Sequence, residues 1–131
     1  MTLPAPAAVL QHGPEARLVR TIERLDDQGI ACASRGRGPW PWFRMLEGAA
    51  QTAGLLLGIG RAGAPRTPVI AEYRDVVIHA PSHRGPLRFL AALDRRILHF
   101  WRCTFEVRDT RGRVLLTGRV TLAPPRHGGR P

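Results

Sequence analysis

The sequence predicts an α+β fold in which one long helix lies against one antiparallel sheet. Three observations carry this. Residues 39–58 read Pro-Trp-Pro-Trp-Phe-Arg-Met-Leu-Glu-Gly-Ala-Ala-Gln-Thr-Ala-Gly-Leu-Leu-Leu-Gly, a proline-led start followed by a helix-like segment. Within residues 49–59 the only polar side chains are Gln51 and Thr52, and a helix apolar on all sides belongs inside a protein. Past Pro68 the apolar period shortens to two. Leu87, Phe89, Ala91 and Leu93 alternate with Arg88 and its neighbours, and Trp101, Cys103, Phe105 and Val107 face opposite Arg102, Thr104, Glu106 and Arg108. Finally, Asp26-Asp-Gln-Gly29 and Asp109-Thr-Arg-Gly112 are turn signals between apolar runs.

Residues 1–14, rich in Pro and Ala, form a leading loop. Residues 16–25 are a first strand, carrying Leu18, Val19, Ile22 and Leu25, and residues 30–34 return as a second. Residues 35–39 break regular structure, and Pro41 suits a first-turn position because its missing N–H would be unpaired there anyway. The helix is expected over residues 42–59. Gly48 and Gly54 each cost it about 1 kcal/mol relative to alanine, which close approach of a wrapping sheet would explain. Residues 58–65 end it in a glycine-rich loop. Residues 69–79 form a strand and 80–85 a loop. The alternating strands follow, with Val114, Leu116, Val120 and Leu122 extending their apolar face. Residues 124–131 read as a disordered tail.

The chain's 131 residues suit one domain, with an ordered core over about 10–123, large enough to fold without disulfide or metal staples. The net charge is +10 and every one of the 20 basic residues is Arg. That charge favours acidic partners, but no block of five arginines forms a nucleic-acid stripe, so nucleic acid is not expected. Cys32 and Cys103 are too few for a disulfide framework and read as free buried thiols. The first ten residues lack a basic start and contain two prolines, which makes a poor signal peptide. The longest apolar run, residues 55–59, falls short of a membrane span. A cytoplasmic protein without membrane contact is the expectation.

Residues 45–54, Met-Leu-Glu-Gly-Ala-Ala-Gln-Thr-Ala-Gly, resemble the central helix of the hotdog fold. More narrowly they resemble the β-hydroxyacyl-acyl-carrier-protein dehydratases of fatty acid and polyketide synthesis. That family's Leu/Ile-Glu-Ala-x-Ala-Gln-x-x-Gly signature is matched at Leu46, Glu47, Ala50, Gln51 and Gly54. Gln11 and His12 are similar to the family's Pro-His opening, and residues 70–122 to the strands that complete its sheet. His83-Arg-Gly85 stands where the family has a Pro-Gly-Asp turn. The resemblance implies an antiparallel sheet wrapped around the helix and a dimer, homo or hetero, with its site between two hotdog subunits. It implies a thioester substrate on an acyl carrier protein or coenzyme A, and no cofactor. The chain departs from the pattern in one respect: the family's catalytic His-Phe-Pro-Gly segment is absent, because residues 34–40 read Ser-Arg-Gly-Arg-Gly-Pro-Trp.

Glu47 is the leading candidate site residue. In a first helical turn its anion would be favoured by the macrodipole, while apolar burial would favour its neutral acid. It then acts as general acid or base, or it merely caps the helix. Gln51, one turn later, either orients Glu47 or serves as a structural amide with its own partners. Trp40 and Trp42 line an acyl pocket or belong to the core. Arg35, Arg37 and Arg44 flank the helix start and meet a phosphate or acidic carrier helices, or form a solvated basic rim. His12, His79, His83 and His99 are each a possible partner for Glu47. His79 and His83 lack a third ligand spaced with them, so no metal site is expected. Three functions remain open: a dehydratase of 3-hydroxyacyl thioesters, a thioesterase in which Glu47 activates water, and a non-catalytic subunit paired with a catalytic hotdog chain.

Overall fold

The computed structural model describes residue 6 and residues 16–59 and 68–125. In chain order the elements are β1 (Val19–Leu25), β2 (Ile30–Ser34), short β3 (Trp40–Pro41), α1 (Trp42–Gly58), β4 (Val69–Ile78), short β5 (Ser82–His83), β6 (Leu87–Ile97), β7 (Phe100–Asp109) and β8 (Val114–Ala123). Six strands make one sheet in the order β1-β2-β6-β7-β8-β4, and β3 pairs with β5 as a separate ribbon. All the pairings are antiparallel. This is the expected α+β arrangement, with α1 packed on the middle of the sheet, chiefly β6 and β7.

The alternation seen in the sequence is the alternation of burial. On β7, Trp101, Cys103, Phe105 and Val107 are buried against the helix side, with half-buried Arg102, Thr104, Glu106 and Arg108 between them. The hairpins close as their turn residues predict. The Asp26 carboxylate accepts the N–H groups of Gln28 and Gly29 at 2.8 and 3.0 Å, and these bonds, backed by Arg24, hold its carboxyl below the usual range. Asp109 does the same for Arg111 and Arg113 at 2.9 Å each. Gly112 supplies the positive φ of 85° that this turn requires.

Close approach of the sheet explains Gly48. A Cβ there would sit 2.4 Å from Cζ of Phe89 on β6, so the ring occupies the space that a side chain would need. Gly54 has no such neighbour: a Cβ there meets nothing within 4 Å. The expectation of a close contact at both glycines holds at the first alone. Thr52, fully buried, donates its hydroxyl to the Gly48 carbonyl at 2.9 Å, one turn back. Cys32 and Cys103 are free and buried. Burial pushes the Cys32 thiol up to about 12.

Several boundaries differ from the sequence reading. Pro41 is the N-cap residue, with extended backbone at φ −67° and ψ 155°, and not a first-turn residue. It is extended because it belongs to β3, whose partner Ser82 is far away in sequence. The loop expected over 80–85 therefore contains β5. The first strand begins at Val19, not at residue 16, because β2 offers partners only from Ser34 backwards. Most of the leading loop with His12, most of the loop expected over 58–65, and His127 with most of the tail lie outside the described residues.

Candidate functional site

Glu47 is the sixth residue of α1, so it stands in the second turn, and the first turn holds no acidic residue. The expected placement at the positive end of the helix is therefore corrected, and the macrodipole effect, which fades within one turn, is weakened. Glu47 is also exposed, so this chain alone does not supply the apolar surroundings expected for it. One neighbour is informative. Tyr73 on β4 is half-buried, and its phenol is pushed up by burial and then by the charge of Glu47. The charge of Glu47 is thus felt on β4. Among the described residues no hydrogen bond or ion pair engages it.

Gln51 is buried, and both ends of its amide are committed. Its Oε1 accepts the Leu18 N–H at 2.8 Å and its Nε2 donates to the Ala16 carbonyl at 2.8 Å. It ties the middle of α1 to the approach of β1. A buried amide with both heteroatoms paired is stable where it is, and the bond to Glu47 that the sequence suggested is not among its contacts.

The aromatic pair splits. Trp40 is buried at 2% exposure, edge-on to Phe89 with ring centroids 6.1 Å apart, and so belongs to the core. Its Nε1 has no partner among the described residues. Trp42 is 39% exposed and stands edge-on to exposed Phe43. It lies at the surface of the helix start and does not crowd the interior of the chain. The Trp42 N–H donates to the Pro81 carbonyl at 2.9 Å, which pins the helix start to the loop before β5. Arg35, Arg37 and Arg44 are all exposed. Arg37 shares a pocket with other cations, while Arg35 and Arg44 do not line it.

Of the described histidines, His79 and His99 are exposed and His83 is half-buried, opposite Trp40 in the β3–β5 ribbon. None bonds to Glu47. Among the described residues no three His, Cys, Asp or Glu side chains are grouped to hold a metal ion, and no helix is long and apolar enough to cross a membrane. A groove of 550 Å³ has Leu90, Thr104, Glu106, Thr117 and Arg119 in its lining, and Glu47 does not line it.

The strand expected over residues 69–79 is present as β4, and what sequence reasoning missed is its place at the open edge of the sheet. It is an edge strand, bonded to β8 on one side only. Yet Val69, Ile70, Val77 and Ile78 are 45, 46, 49 and 43% exposed along it. Edge strands that must stay alone are usually blunted by charge or proline. Here Glu72, Arg74 and Asp75 occupy the middle and apolar residues occupy both ends. Tyr73, which feels the charge of Glu47, lies on this edge strand.

By sequence, no family model and no curated protein matches the chain. By structure it is similar to the dehydratase heterocomplex ApeI:P from Xenorhabdus doucetiae, at TM-score 0.82 and 19% identity over 96% of this chain and 94% of that one. A thioesterase from Haemophilus influenzae matches at TM-score 0.72 and 12% identity, over 94% of this chain and 91% of that one. A hypothetical thioesterase with coenzyme A from Streptococcus pneumoniae matches at 0.65 and 10%, over 85% and 89%. These neighbours are hotdog proteins, and the six-stranded sheet folded around one central helix is the hotdog fold.

Proposed function

We propose that the protein handles acyl thioesters as a dehydratase-type hotdog subunit, with Glu47 as its acid/base group and a second hotdog chain seated on β4. The observation that carries this is the exposed Glu47 carboxylate beside Tyr73 at the open, apolar-tipped edge of the sheet. A carboxyl left in water is a poor acid/base for carbon chemistry. Covered by a second chain it would be shielded from water and held against a bound acyl group.

Removing water from a 3-hydroxyacyl thioester takes two proton transfers. One group accepts the α-proton, and another protonates the departing hydroxyl, which leaves as water as the double bond forms. Glu47 can perform one of these. The other needs a second group, and no described histidine stands bonded to Glu47. A second chain is the economical source, and the similarity to a dehydratase heterocomplex supports that reading. The acyl group would be carried on an acyl carrier protein or coenzyme A. A thioesterase, in which Glu47 activates water to release the free acid, is the second reading, supported by the thioesterases among the structural neighbours. If the partner alone performs the chemistry, this chain is its non-catalytic half.

The test is to incubate the protein, alone and with a co-encoded hotdog chain, with 3-hydroxyacyl and acyl carrier-protein substrates and follow both by intact mass. Loss of one water supports dehydration, and release of free acid supports hydrolysis. If neither occurs with either preparation, both enzyme readings fail. Glu47→Gln preserves shape and removes the ionisable proton, so it should abolish the activity found.

A further inference from the structure

Where the β3–β5 ribbon meets the β7–β8 hairpin, a pocket of 430 Å³ is lined by Arg37, His83, Arg84, Arg111 and Arg113, with Asp109 as the one carboxylate in the lining. The loops that deliver these groups are fixed to one another. The Gly85 N–H donates to the Arg37 carbonyl at 2.7 Å, His83 pairs with Trp40, and the Asp109 carboxylate clamps the hairpin through the Arg111 and Arg113 N–H groups. That carboxylate is largely spent. Its Oδ1 takes both backbone bonds, and Oδ2 lies 3.7 Å from Arg113 Nε. Arg37, Arg84 and Arg111 have no ion-pair partner among the described residues. Four arginines therefore line a concavity whose lining holds a single, occupied carboxylate.

We propose that this pocket binds a phosphate ester. Guanidinium forks match the spacing of phosphate oxygens and bind them in pairs, which a point-charge ammonium does not do. A concave site also selects a compact anion over a flat acidic protein surface. The location suits a substrate-bearing phosphate, since the loop of residues 79–85 that carries His83 and Arg84 also holds the N-terminus of α1 through the Pro81 carbonyl. The proposal rests on the thioester reading only for the origin of the phosphate, which would be that of a pantetheine arm or of the nucleotide end of coenzyme A.

Calorimetric titration of the full chain at low salt tests it, with inorganic phosphate, 4′-phosphopantetheine and adenosine 3′,5′-bisphosphate as probes. Saturable binding is expected. Arg84→Gln and Arg113→Gln should each weaken it about tenfold, as expected for loss of a charge-assisted bond. Arg20→Gln, the same charge change on exposed β1, should leave it within about twofold. Tighter binding of 4′-phosphopantetheine assigns the site to the arm, and tighter binding of the bisphosphate assigns it to the nucleotide end. Absence of saturable binding to all three probes overturns the proposal, as does an equal loss in Arg20→Gln. Equal affinity for a carrier protein with and without its phosphorylated arm would overturn it too, by showing that an acidic surface is read instead. A phosphate-free N-acetylcysteamine thioester separates the two readings. Turnover of that thioester without phosphate binding sinks the pocket alone, and phosphate binding without any turnover sinks the enzyme reading alone.

Discussion

Strands β7 and β4 are both ten residues long and lie in the same sheet, yet they live in different surroundings. β7 has a bonded neighbour on each side and α1 across its inner face, and its alternate residues are buried without exception from Trp101 to Val107. β4 has one neighbour, and none of its ten residues is fully buried. Its apolar content is no lower: Val69, Ile70, Val76, Val77 and Ile78 belong to it. The difference lies in what covers them. β7 shows a core that the chain completes by itself, and β4 shows one that it leaves open.

Truncation should expose that contrast most strongly. Phe105→Ala on β7 should cost about 3–5 kcal/mol, the usual range for removing a buried aromatic ring. Val77→Ala on β4 should change the stability of the isolated chain by less than about 1 kcal/mol, because little area leaves water there. Urea unfolding of both variants checks this, and equal losses would mean that β4 is already covered.

The two helix glycines sharpen the same point on a smaller scale. Gly48→Ala forces a methyl into the Phe89 ring, and overpacking of this kind costs about 1–3 kcal/mol. Gly54→Ala meets open space and should instead stabilise the helix by up to about 1 kcal/mol. One substitution type would thus give opposite signs six residues apart. Matching signs in thermal or urea unfolding would contradict the packing described for α1.

A smaller effect follows from Cys32, buried under α1 on β2. Burial raises its thiol from 9.0 to about 12, against a Thr52 hydrogen bond that lowers it, with the charge of Glu23 adding slightly to the rise. The folded chain therefore prefers the neutral thiol more than the unfolded chain does. Its contribution is complete below pH 9.0 and is lost progressively as the pH climbs towards 12. Stability measured across that window should fall with pH, and Cys32→Ala should remove part of the slope. An unchanged slope in that variant would place the titration elsewhere, for example at Tyr73.

Much of this fold was legible because its signals are local. The all-round apolar character of residues 49–59 and the period of two from Leu87 onward report burial directly, and Asp109 and Gly112 announce their own turn. What was not legible depends on distant partners. The backbone groups that occupy Gln51 lie at Ala16 and Leu18, 35 and 33 residues away. The strand partner that makes Pro41 an N-cap is Ser82. The basic pocket draws on the loops around Arg37, Arg84 and Arg111, three stretches that no spacing rule connects. Glu47 was singled out as a candidate by its signature, but its exposure was not foreseen, because exposure depends on what packs over that face of the helix.

Glu47 is proposed to work in a site completed by a second chain on β4. The most direct test of this is to follow dehydration of a 3-hydroxyacyl carrier-protein substrate by intact mass for the assembled protein, with Glu47→Gln and Val77→Asp compared against wild type. Circular dichroism and sedimentation of each variant would be recorded in parallel. Both variants should remain folded and lose activity, Glu47→Gln as an intact assembly and Val77→Asp as a dissociated chain. Full activity in Glu47→Gln, or in a Val77→Asp protein that sediments as a monomer, would contradict it.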